Sequence, residues 1–181
     1  MPYPERGFTL IELLVVISII GLLASVILAS LNGARTRAQN TAKVQEVGQI
    51  VNALELYYGA NGHYPPRGDM SGTIPSMKCI GYNENEKCFG PYGDSGLFAG
   101  NDSFNAKLSE YIPGPPRNDY PVVDANGNNY KGIVYGCVEG PSDCKEYELW
   151  WYLKDTNTCP KGEPELAGSN VRCFLNSTNK Y

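Results

Sequence analysis

In the stretch at residues 5–28, ERGFTLIELLVVISIIGLLASVIL, the apolar run that follows Gly7 carries a single carboxylate, Glu12, near its start. From Leu13 to Leu31 there are nineteen residues without a charge, close to the ~20 that a membrane-spanning helix needs. An acid within such a segment costs about 2.5–3.5 kcal/mol on insertion scales, so it marks function by default. The run is longer than the ~7–15 apolar residues of a secretory signal, and its prefix MPYPERG carries one arginine. Arg35 and Arg37 follow the run and outnumber Arg6 before it, so flanking charge leaves the topology open.

Small residues recur along this run. Gly21, Ser25, Ala29 and Gly33 lie four apart, and Ser30, Ala34, Ala38 and Ala42 form a second row. Such rows let helices approach closely in lipid, where packing rather than hydrophobicity drives association. Beyond the run, Val44, Val47, Val51, Leu54 and Tyr58 repeat at three- and four-residue steps, the apolar stripe of an amphipathic helix. Arg37, Lys43, Glu46 and Glu55 are available for its other side. Residues 8–60 contain no Pro and no Cys, and GANGHYP then supplies a helix stop. A helix from Phe8 to Tyr58 would be about 75 Å long at 1.5 Å per residue.

The 181 residues therefore divide into a helical stem and a loop-rich head, residues 61–181, which holds all six cysteines and most of the Gly and Pro. The head has eleven basic and fifteen acidic residues and the chain a net charge of −4, which lacks the basic footprint of a nucleic-acid binder. Cys79, Cys88, Cys137, Cys144, Cys159 and Cys173 permit fifteen pairings, among which short loops favour sequential neighbours. No C-x-x-C pair is present, which turns the reading from zinc toward disulfides in an oxidising compartment.

RGFTLIELLVVISIIGLLA, residues 6–24, resembles the class III signal of type IV pilins and pseudopilins. The resemblance implies that a prepilin peptidase cuts between Gly7 and Phe8 and methylates the new amine of Phe8. Glu12 becomes the assembly glutamate, pairing with the Phe8 amine of a neighbouring helix, since two charges costly in an apolar core become tolerable together. The implied fold is α+β, a long N-terminal helix with a small antiparallel sheet and disulfide-stapled loops. The implied divisions are a leader at 1–7, a transmembrane or filament-core half-helix at 8–34, an amphipathic half at 35–60 and a head at 61–181. Ala29 stands where many pilins have a helix-breaking Pro, which leaves only Gly21 and Gly33 for local unwinding.

YYGANGHYPP at 57–66 is similar to the helix-to-head junction of the same family, and LSEYIPGPP at 108–116 loosely resembles the loop before the pseudopilin sheet. KGIVYGCV at 131–138 and YELWWYL at 147–153 read as strands, and DANGNN at 124–129 offers an Asn-Gly turn. By resemblance, Cys159 and Cys173 staple the C-terminal loop.

Catalysis finds little support. GDSG at 93–96 resembles the nucleophile loop of trypsin-like proteases, but His63 is the one histidine and the chain is shorter than the two-barrel fold a triad needs. DANGN is similar to the start of a calcium loop, yet Asn129 replaces the required Gly and Tyr135 the closing Glu. No cofactor is expected; calcium bound through another loop, as in some pseudopilins, stays an open reading. Asn101 and Asn176 head glycosylation sequons.

The expected function is that of a structural subunit of a type IV pilus, a self-polymer displayed outward toward a surface or DNA. The alternative is a periplasmic pseudopilin of a type II secretion or competence apparatus. A non-polymerising single-span protein with a ligand-binding head is the third reading. The implied partners are further copies of the chain, the prepilin peptidase, an assembly ATPase with its platform, and the cytoplasmic membrane that holds the precursor.

Overall fold

The computed structural model describes residues 7–66, 77–89, 97–117, 119–123, 127, 129–138 and 144–178. A single helix, α1, runs from Leu10 to Asn61. Gly21 and Gly33 are both helical, so neither unwinds it. It ends where the sequence places the stop: Gly62 adopts φ +75°, and its N–H donates to Tyr58 O at 2.7 Å. The Asn61 side chain bonds Tyr57 O at 2.9 Å. A left-handed glycine after the last turn satisfies carbonyls that would otherwise be orphaned.

The chain divides into two compact units, one up to Ala38, which contains the apolar run, and one from Gln39 to Tyr181. The second unit is built on a five-stranded antiparallel sheet, in the order β1-β6-β7-β9-β8. Its strands are β1 Met77–Cys79, β6 Val134–Cys137, β7 Tyr147–Leu153, β8 Glu163–Ala167 and β9 Asn170–Asn176. Two small hairpins accompany it, β2 Lys87–Phe89 with β3 Leu97–Ala99 and β4 Val122–Val123 with β5 Asn129–Tyr130. A short helix, α2 Asp102–Ser109, completes the head. The KGIVYGCV segment contributes β6 and YELWWYL forms β7. The DANGNN segment runs from the end of β4 into β5, whose first residue is Asn129; most of it, and all of GDSG, is outside the described residues.

The side chains that alternate along each strand explain the packing. Tyr147, Leu149, Trp151 and Leu153 of β7, Val171, Cys173 and Leu175 of β9, and Tyr135 of β6 form one buried cluster with Val47, Ile50, Ala53 and Leu54 of α1. The helix stripe is rotated from its sequence reading. Tyr57 is buried, whereas Tyr58 is 37% exposed and its ring lies tilted against Tyr64 with centroids 4.7 Å apart. Lys43, expected on the polar side, is 2% exposed and donates to Tyr120 O at 3.2 Å. The packing of the 119–123 segment against the helix takes its aliphatic stem inside.

Three disulfides tie the head: Cys79–Cys88, Cys137–Cys144 and Cys159–Cys173. The first closes the β1–β2 turn, which α2 also grips: Asn105 donates to Tyr82 O at 2.7 Å and accepts from Gly81 N–H at 3.0 Å. Gly81 is required there, because a Cβ would lie 2.6 Å from Pro116 O. The 137–144 bridge supports the junction after α1, where Tyr64 N–H donates to Cys144 O at 2.7 Å.

Candidate functional site

The sequence singles out Gly7, Phe8 and Glu12, and the structure adds a fourth residue, Thr9. The Thr9 hydroxyl and backbone N–H both donate to Glu12 Oε2, at 2.7 and 2.8 Å. In return Glu12 N–H donates to Thr9 Oγ1 at 3.3 Å. With the helix starting at Leu10, Thr9 is its N-cap and Glu12 its third residue, a reciprocal capping box. The carboxylate also meets the positive end of the helix dipole. The signal for this box, Thr-x-x-Glu ahead of an apolar run, stands in TLIE, and reading Glu12 for its charge alone misses it.

From Leu13 to Leu31 the helix carries no charge and its large apolar side chains are exposed. Phe8 is 93% exposed, and the large apolar side chains from Leu10 to Leu31 are 51–76% exposed. Two serines of the run turn back onto their own helix: Ser18 and Ser25 donate to Leu14 O and Leu22 O, each at 2.7 Å. Hydroxyls satisfied on their own helix suit a surrounding that offers no water. A Cβ built at Gly21 or Gly33 meets nothing within 4 Å, so both glycines are open to close approach from outside. By length and composition the helix can cross a membrane.

The other sequence candidates are scattered. His63 is half-buried at the junction, with Nδ1 2.8 Å from Tyr64 O and its ring edge-on to Tyr57. Asn101 caps α2, accepting from Phe104 N–H at 2.7 Å. Asn176 ends β9 and accepts from the Thr178 hydroxyl at 2.7 Å. Among the described residues no group of three or more His, Cys, Asp or Glu converges on a point that could hold a metal ion.

Two charged features of the head are structural. Burial pushes the Lys43 ammonium down to about 8, against the pull of Glu46. On the surface, Arg117 bonds Asp119 at 2.7 Å and Glu86 at 2.6 Å, which holds both carboxyls below their ordinary range. Its guanidinium lies 4.8 Å from the centre of the Tyr82 ring.

The sequence pattern of the prokaryotic N-terminal methylation motif matches residues 3–28. Over 61 residues the chain is 44% identical to type II secretion system core protein G of Escherichia coli, covering 34% of this chain and 42% of that protein. Core protein G of Pectobacterium carotovorum is 40% identical over 63 residues, 35% and 40% of the two chains. The type IV wide pilus major component PilA4 of Thermus thermophilus is 44% identical over 59 residues, 33% and 45% of the two chains. The chain thus spans less than half the length of these curated relatives. No solved structure matches it. A long N-terminal helix, an antiparallel sheet and three disulfides accord with the type IV pilin architecture. Residues 3–28 are accordingly a prepilin-type N-terminal segment, carried by a chain related to type II secretion pseudopilins and to a type IV pilin.

Proposed function

We propose that this chain is a structural subunit of a type IV pilus. It enters the cytoplasmic membrane as a precursor, loses residues 1–7 by cleavage after Gly7, is methylated at Phe8 and polymerises through its apolar half-helix. The observation that carries the reading is the exposure of every large apolar side chain from Phe8 to Leu31, in contrast to the buried core that the Gln39–Tyr181 unit forms from the later part of the helix and the sheet. A helix apolar all round needs lipid or other helices as its surroundings, and the small-residue rows suit both in turn. Residues 8–34 then make the filament core, 35–60 the helix half that serves the head, and 61–181 the displayed surface. The peptidase, assembly ATPase and platform protein are its expected partners, and its role is scaffolding rather than catalysis.

Glu12 acts twice in this account. In the membrane its carboxylate caps its own helix through Thr9; in the filament it also faces the Phe8 amine of a neighbouring copy. A carboxylate has about four acceptor positions, enough for both. The second reading, a periplasmic pseudopilin of a secretion apparatus, is favoured by the likeness to core protein G. Mass spectrometry of filaments sheared from the cell surface separates the two. An abundant N-terminal peptide beginning with N-methylated Phe8 is expected. Mature chain confined to the membrane fraction turns the assignment to the pseudopilin, and residues 1–7 still attached overturn both.

A further inference from the structure

We propose that the β8 edge of the head is a docking surface for a second copy of this chain, met through the Leu31–Ala38 segment of that copy's helix. The inference rests on the polymerising function proposed above and names the contact partner of the head within it.

The helix segment has an uneven surface. Leu31, Ala34 and Ala38 fall at i, i+3 and i+7, one stripe along the helix; Arg35 borders it on one side and Arg37 on the other. All five are exposed, Leu31 by 60%. Once residues 1–7 are removed, the basic side chains left on the helix are Arg35, Arg37 and Lys43, and Lys43 is buried. If Phe8 lies on the cytoplasmic side, both arginines fall on the translocated flank of the span, against the usual bias of basic residues. In that orientation membrane insertion gives no reason for them.

The β8 edge complements that surface. It is the outermost strand of the sheet beyond β9, and Glu163, Pro164, Glu165 and Leu166 are all exposed, Leu166 by 69%. Glu163 and Glu165 share one side of the strand, and Pro164 and Leu166 the other. Arg172 of β9 bonds Glu165, which leaves acceptor positions on that carboxylate. Charges and a proline on an edge strand also protect it against strand addition. That protection accounts for Glu163, Pro164 and Glu165, but not for an exposed leucine beside them. It also limits what can dock: Pro164 lacks the N–H that an added strand would use, whereas a helix needs no edge hydrogen bonds. Fifteen acidic against eleven basic residues make the heads repel one another, and arginines brought from a neighbouring helix offset that repulsion.

The test uses the charge-preserving Arg35→Lys/Arg37→Lys variant, assembled in cells from a mixture of ¹⁴N- and ¹⁵N-labelled copies. Sheared filaments are treated with a carbodiimide, which joins a carboxylate to a nearby amine, and digested for mass spectrometry. Heavy–light cross-links between position 35 or 37 and Glu163 or Glu165 are expected. Filaments whose cross-links join those positions only to other carboxylates overturn the contact while leaving the polymerising function standing; absence of filaments from the unaltered chain overturns that function itself. In parallel, Arg35→Glu/Arg37→Glu is expected to lower filament yield by about tenfold or more through like-charge opposition, with recovery when Glu163→Lys/Glu165→Lys is added. A reversal that loosens the precursor from anionic vesicles but leaves filament yield unchanged assigns the arginines to lipid phosphate and overturns the proposal.

Discussion

Residues 10–38 and 39–61 belong to one helix, yet they dispose of their apolar side chains in opposite ways. In the second stretch apolar residues recur with the helical period, and Val47, Ile50, Ala53 and Leu54 are fully buried against the sheet. In the first, apolar residues occupy every side, and each large one stays more than half exposed. A periodic stripe declares a partner inside the same chain, because one face meets the core and the other meets water. An unbroken apolar surface declares a partner outside it, whether lipid or neighbouring helices.

One substitution made on each side can break this contrast. Ile50→Ala removes a fully buried side chain and is expected to cost the head about 2–5 kcal/mol, the range for such truncations in a packed core. Ile17→Ala removes the same atoms from a side chain 58% exposed and is expected to leave the head's urea midpoint unchanged. Its effect should appear in assembly, as reduced filament yield. Equal losses of head stability from both variants would mean that the first stretch packs on the chain's own core.

The legibility of the sequence follows the same division. The apolar run, its small-residue rows and the helix stop near Asn61 are composition and periodicity, and a reader can find them directly. Strand β7 is legible as well, since YELWWYL is rich in residues that favour a half-buried pleat. Its neighbours are not. EPELA of β8 contains a proline and two glutamates and becomes a strand only because β9 supplies its register; β1 to β3 are three residues each and are held by a disulfide and α2 rather than by their own propensity. Of the candidate site, Gly7, Phe8 and Glu12 carry a family signature. The hydrogen-bonding role of Thr9 is present in TLIE but overshadowed by the charge of Glu12. Lys43 departs from its expected side because helical periodicity places a residue on an arc without saying how far tertiary packing extends around it.

Lys43 gives a sharper test of the buried stretch. Its folded pKa lies near 8, against about 10.4 in an unfolded chain. Between those values the unfolded state binds more protons, so this group makes stability rise with pH across that window, and its burial penalty is complete below pH 8. Each tenfold drop in proton affinity is worth about 1.4 kcal/mol, part of which the bond to Tyr120 O returns. Lys43→Met is expected to raise the head's stability at pH 7 by roughly 1–3 kcal/mol and to remove the rise between pH 8 and 10. Urea unfolding at pH 7 and 9.5 reads both effects. A loss of stability at both pH values would show instead that the ammonium holds the 119–123 segment in place.

The smallest effect belongs to the exposed stretch, and it separates the two roles of Glu12. Thr9→Ala removes the cap hydroxyl and is expected to cost about 1 kcal/mol, confined to the first helical turn, where amide exchange at Glu12 and Leu13 should accelerate while the head stays unchanged. Glu12→Gln is the informative companion, because glutamine can still reach back to the Thr9 N–H but carries no charge. If Glu12→Gln keeps slow exchange in the first turn and still fails to assemble, capping is insufficient and the charge is what the neighbouring Phe8 amine requires. If it assembles normally, the carboxylate serves its own helix alone. The filament would then be held by packing of the apolar surface, and the acid at the head of the apolar run would be a helix cap rather than an assembly contact.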